Sequence, residues 1–245
     1  MKILVCITHV PDTTSKIGFT DQNSRLDTNG IQFIIGPYDD YALARAVELK
    51  DTHQAAVTVL CVGGPETEPT LRKALAIGAD DAIRVDMEPS DSLSVARQIA
   101  EQSRGAGYDL ILMGRESIDH NGGVVHALVA ESLGIPSVSP VMKLDIQGTA
   151  ARMVREIEGG KQTVECPLPL VAGCQEPIAE WKIPNMRGIM AARTKPLKVV
   201  APVAVQPMTA SAGFTLPPAK GAVVMFKAGQ EAEVVERLKK DAKVL

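Results

Sequence analysis

Aromatic residues make up only 3% of these 245 residues, and Trp181 is the single tryptophan. A surface that stacks successive bases needs several exposed rings, so the shortage argues against single-strand nucleic-acid binding. Charge argues the same way: 26 Lys and Arg against 29 Asp and Glu leave a formal net charge of −3. That balance supplies no whole-chain attraction to nucleic acid or to an anionic membrane. The first apolar run, Ile3 to Ile7, is far too short for a membrane span or a signal segment and is closed by Thr8, His9 and Pro11. No direct membrane insertion is expected. The absence of an Arg-rich amphipathic leader favours a bacterial cytoplasm over a mitochondrial matrix.

Cys6, Cys61, Cys166 and Cys174 have no close metal-ligand spacing and read as small buried hydrophobes. His9, His53, His120 and His126 form no pair at metal spacing. Ser117 lacks the G-x-S-x-G elbow, and Asp39-Asp40 reads as a helix cap. With no catalytic triad and no metal set, an enzyme's usual machinery is missing.

What is present is an alternation of short apolar runs and amphipathic segments, the pattern of strands feeding crossover helices in a parallel sheet. Strands are expected at Lys2 to Ile7, Ala56 to Val62, Ala82 to Val85 and Asp109 to Met113. Helices are expected at Asp39 to Lys50, Thr67 to Ile77, Ser92 to Gln102 and Asn121 to Leu133. The strand runs Ala150 to Glu158 and Gln162 to Cys166 flank Gly159-Gly160, which predicts an antiparallel hairpin on the sheet edge. Beyond Gln175 seven prolines punctuate a stretch that reads as an extended arm. A last helix over Gln230 to Ala242 is too short to be stable without docking on something.

Three glycine junctions follow strands or precede helices: Ile35-Gly36-Pro37, Cys61-Val62-Gly63-Gly64-Pro65, and Gly114 through Gly123. Glycine lets backbone approach a phosphate, and the free N–H groups of a first helical turn bind anions. None matches the dinucleotide fingerprint or the P-loop. In an open parallel sheet all three would lie at the carboxyl edge, where ligands bind.

Several segments together resemble the electron-transfer flavoprotein beta family: Ile3 to Asp12, Gly36 to Leu43, Ala74 to Asp80, Gly114 to Asp119, Arg155 to Gly160 and Gln175 to Pro177. They cover roughly residues 1–200, in the family's order. The resemblance implies an α/β fold of the adenine nucleotide hydrolase-like kind: an open, mostly parallel sheet with helices on both faces, an edge hairpin and an extended C-terminal arm. It further implies a heterodimer with a larger alpha subunit that holds most of a redox-active FAD. This subunit would bind a structural AMP at Cys6, Gly36, Val62, Gly63, Asp119, Gly122, Gly123, Val124 and Val125, while Tyr38 and Thr13 face the flavin. Residues 1–200 would form the nucleotide domain, and residues 201–245 an arm and helix that dock on the alpha subunit.

The family also docks on acyl-CoA dehydrogenase-type donors and passes electrons to a membrane quinone oxidoreductase. The matching segment is a loop near residues 181–195, with Ile183 or Met186 as apolar anchor and Arg193 and Lys195 as basic followers. Relatives place Asn at the position of Gly36 and Gln at that of Val124, so two side-chain bonds to the nucleotide are missing here. Two alternatives follow: an electron-bifurcating subunit with a second FAD in place of AMP, and a stand-alone adenine-nucleotide module.

Overall fold

The computed structural model describes residues 1–245. Period-2 alternation sets the sheet. In β1 (Lys2–Cys6), Ile3 and Val5 enter a core of 32 buried residues on one face, while Leu4 and Cys6 enter a second core of 12 on the other. β6 (Ala56–Val62) and β8 (Leu110–Gly114) divide their residues in the same way, Val57 and Val59 against Leu60, Leu110 and Leu112 against Ile111. A strand buried on both faces needs helices on both. The first core is closed by α1 (Pro37–His53) and α2 (Glu68–Ile77), the second by α3 (Ser92–Ser103) and α4 (Val125–Leu133). Each fully buried Leu, Ile or Val contributes about 1.5–3 kcal/mol, so the two layers supply most of the hydrophobic stabilisation.

The remaining sheet strands are β7 (Asp81–Val85), β9 (Ser137–Gln147), β10 (Ala150–Ile157), β11 (Gly160–Pro167), β12 (Leu170–Cys174) and β13 (Leu197–Val200). The nine-stranded order is β11-β10-β9-β12-β8-β1-β6-β7-β13. Only β10 runs against the others, pairing antiparallel with both β9 and β11. The edge hairpin is therefore where the Gly159-Gly160 turn predicts it. Between β1 and α1 the chain makes an excursion of two small ribbons, β2 (His9–Pro11) with β5 (Phe33–Ile35), and β3 (Phe19–Thr20) with β4 (Arg25–Leu26).

The stretch after Gln175 is more ordered than its prolines suggest. It contains α5 (Met186–Ala192), which packs on α2, and β13, which pairs with β7 in parallel. Gly188 is required there, because an added Cβ would sit 2.2 Å from the Ala76 carbonyl oxygen. Residues 201–229 have no regular structure, and α6 (Glu231–Arg237) continues as a π-turn through Ala242. No residue beyond Ala192 is buried. The expected helix at Asn121 begins instead at Val125: Asn121 and Gly123 have φ of 49° and 61°, which ends any helical run before it starts.

Candidate functional site

Strand order reverses at β1. The chain steps outward through β6 and β7, and β8 then falls on the other side of β1. Such a switch point opens a crevice outside the carboxyl ends of β1 and β8. Its floor is Asp39, 3% exposed in the first turn of α1. One carboxylate oxygen accepts the Thr8 N–H at 2.8 Å and the Thr8 hydroxyl at 2.6 Å; the other accepts the Gly114 N–H at 2.7 Å. Asp39 is thus not the cap of its own helix, contrary to the reading of Asp39-Asp40. It clamps the two strand exits together. Burial pushes its carboxyl from 3.8 up to about 6, against the donors from Thr8 and Gly114 that hold it down.

The clamp explains two glycines. A Cβ on Gly36 would lie 2.3 Å from Thr8 Oγ1 and 2.6 Å from Asp39 Oδ2, and one on Gly114 would lie 2.6 Å from the Tyr38 Cβ. With that side filled by Thr8, Asp39 and Tyr38, neither position has room for a side chain, and both glycines are buried. Gly63 repeats the arrangement on Thr67 Cγ2 at 2.3 Å. Its carbonyl accepts from Arg84 at 3.1 Å, and Arg84, 5% exposed, also reaches Asp86 and Glu68. A buried guanidinium so placed fixes the exit loop of β6.

Beyond Gly114 the loop runs exposed from Asp119 to Val124. The N–H groups of Gly122, Gly123 and Val124 donate to no other group of this chain. Three consecutive free donors ahead of α4 suit a phosphate. Cys6 lies buried at the end of β1, Val62 ends β6, and Val125 is half-buried at the start of α4 after β8, so these exits share one sheet edge; Gly36, which follows β5 of the separate ribbon, joins them through its N–H to the Thr8 carbonyl at 3.3 Å. Burial drives the Cys6 thiol well above its usual range, which makes it a wall and not a nucleophile. Asp119 accepts the Ser117 hydroxyl and stays exposed.

Tyr38 is half-buried, with the Arg115 guanidinium 5.0 Å from its ring centroid. Arg115 is held by Glu116 at 2.8 Å and by Gln175 at 2.9 Å, and Gln175 in turn donates to Glu156 at 2.6 Å. The pairing escapes a reading of the sequence, although its members fall in three of the segments that carry the family resemblance, Gly114 to Asp119, Arg155 to Gly160 and Gln175 to Pro177. Thr13 is exposed on the excursion after β2. Ile183 and Met186 are 76% and 73% exposed, Met186 as the first residue of α5 and not in a loop. Arg193 caps α5 and is exposed. Lys195 is turned inward: its ammonium donates to the carbonyls of Leu75 and Ala79 at 2.9 and 2.5 Å, and burial holds its pKa down.

An open, mostly parallel α/β sheet whose strand order reverses at β1 defines a doubly-wound α/β protein, the class in which ligands bind outside the carboxyl ends of the strands. Sequence comparison makes that class particular. The family model described as "Electron transfer flavoprotein domain" matches residues 24–205. The electron transfer flavoprotein subunit beta of Bacillus subtilis is 33% identical, with all of both chains covered. That of Syntrophomonas wolfei is 34% identical over 100% of this chain and 98% of its own, and that of Dictyostelium discoideum 30% over 82% of each. The chain belongs to the electron transfer flavoprotein beta-subunit family, whose role is electron transfer.

Proposed function

We propose that this chain is the nucleotide-holding half of a heterodimer, joined to a larger alpha subunit that carries most of an FAD. The observation that carries the reading is the reversal of strand order at β1, with the Gly63 and Gly114 loops at the strand exits and free N–H groups at Gly122, Gly123 and Val124. A structural AMP would be held there. Its phosphate would meet the donors ahead of α4, and its adenosine the apolar wall of Cys6 and Val62. Position 36 has no room for an Asn while Asp39 bonds Thr8, so backbone takes over what a side chain does in relatives.

Bound FAD supplies reversible one-electron chemistry, and this chain's residues present a face to it. Tyr38, steadied by Arg115, would pack on the ring, with Thr13 nearby. Ile183 and Met186 would anchor an acyl-CoA dehydrogenase-type donor, an exposed apolar pair of the sort that forms hot spots. Electrons would pass on to a membrane quinone oxidoreductase. No residue here is asked to move a proton, so the chain acts as a carrier subunit and not as an enzyme.

The test is co-expression with the adjacent flavoprotein subunit, followed by mass spectrometry of released nucleotides. One FAD and one AMP per heterodimer is the expected result. Two FAD would assign the bifurcating class, and a stable nucleotide-binding monomer with no flavin partner would return the stand-alone module.

A further inference from the structure

The arm that follows β13 does not leave this domain at once. It is pinned at three places. The Gln98 side chain, 0% exposed, accepts the Val203 N–H and donates to the Val203 carbonyl, both at 2.8 Å. Asp91, the N-cap of α3, bonds Ser94 with one oxygen and takes the N–H groups of Met208 and Thr209 on the other, at 2.7 and 3.2 Å. Phe214 then stacks on Phe19 with ring centroids 4.9 Å apart, and its N–H donates to the Asn23 carbonyl at 2.8 Å.

The position of these pins in the fold gives them meaning. Asp91 follows the exit of β7, whereas Phe19 and Asn23 belong to the excursion that follows β1. In the sheet, β6 lies between β1 and β7. The chain between Thr209 and Phe214 thus runs from the start of α3, after β7, to the excursion after β1, and the strand between those two is β6, whose exit is the Gly63 loop. The same pin borders the other glycine loop: a Cβ on Gly122 would lie 3.4 Å from the hydroxyl of Ser92, the residue next to Asp91.

We infer that residues 201–214 form a strap across the nucleotide edge, latched by Phe214 on Phe19, and that unlatching limits nucleotide release. The inference rests on the nucleotide reading above. The arm is thereby divided in two: residues up to Phe214 close this chain's own site, and only those beyond it are free to reach another subunit. The latch is small, one ring pair and one backbone bond, whereas the Gln98 and Asp91 pins join side chains to backbone through four hydrogen bonds. Opening therefore starts at Phe214.

The experiment loads the purified heterodimer with labelled AMP, adds excess unlabelled AMP and follows loss of label. Phe214→Ala is expected to release AMP about tenfold faster, the change appearing in the off-rate. Gln98→Ala, which removes a different pin, is expected to act in the same direction. Far-UV circular dichroism checks that both variants fold. Folded variants that release AMP at the wild-type rate overturn the strap and leave the nucleotide reading standing. A wild-type heterodimer that retains no adenine nucleotide overturns both.

Discussion

Replacing Asp39 by Asn tests the clamp at the switch point, because pH separates what the carboxylate costs from what it contributes. The variant keeps the side-chain shape but has one acceptor oxygen, so an NH2 group meets either Gly114 N–H or the Thr8 donors. Leaving a buried donor unpaired costs about 1–3 kcal/mol at any pH. The wild-type carboxyl carries a second, pH-dependent contribution. Its folded pKa is raised from 3.8 to about 6, so this contribution is full below the unfolded value and lost as pH rises through the folded one. Linkage puts the loss at about 1.4 kcal/mol between pH 5 and pH 8. Asp40, also raised to about 6 by burial, is present in both proteins and cancels. Urea denaturation followed by far-UV circular dichroism is therefore expected to show Asp39→Asn destabilised most at pH 5, the gap narrowing by about that amount toward pH 8. A gap that stays constant or widens with rising pH would refute the reasoning, because it would mean that the three donors outweigh desolvation.

Further predictions follow from the same geometry. Met186→Ala and Ile183→Ala are expected to slow reduction by an acyl-CoA dehydrogenase-type donor without loss of flavin, and to leave stability within about 0.5 kcal/mol, since both side chains are exposed. Unchanged stopped-flow reduction rates in both variants would remove the docking role. Lys195→Met is expected to cost stability, about 1–3 kcal/mol from the unpaired Leu75 and Ala79 carbonyls, read as a lowered urea midpoint. Arg193→Ala is expected to spare the midpoint and to flatten the salt dependence of partner association; the reverse pattern would exchange the two roles. Gly63→Ala is expected to lower stability by about 1–3 kcal/mol through the Thr67 clash, and a wild-type urea midpoint would show that the loop has slack.

How far the sequence can be read depends on how far apart the partners lie. The strands β1, β6 and β8 announce themselves because alternation is a local property and each is buried on both faces. The edge hairpin announces itself through Gly159-Gly160. β13 does not: its four residues alternate weakly, with only partial burial, and it becomes a strand because β7 has a free edge beside it. Likewise α5 spans seven residues with Met186 and Met190 exposed, so no amphipathic face marks it, and its docking relies on the bare backbone of Gly188.

The clamp shows the same limit at the site itself. An acidic residue in a first helical turn most simply complements the helix terminus, and within any local window Asp39 offers nothing else. Its partners are 31 and 75 residues away, brought together only by the reversal of strand order at β1. The glycines, by contrast, are legible from the sequence as junctions where a side chain is excluded. The structure adds that Gly36 and Gly114 also make room for Asp39 on the inner side. Glycine is thus required at both positions by what lies beneath them, Thr8, Asp39 and Tyr38. A phosphate of the proposed AMP set next to Asp39 would meet a like charge, so its donors would belong away from that carboxylate. The free N–H groups of Gly122 to Val124 lie further along the chain from Gly114, which on the proposed reading would leave the adenosine to the apolar side chains of Cys6 and Val62.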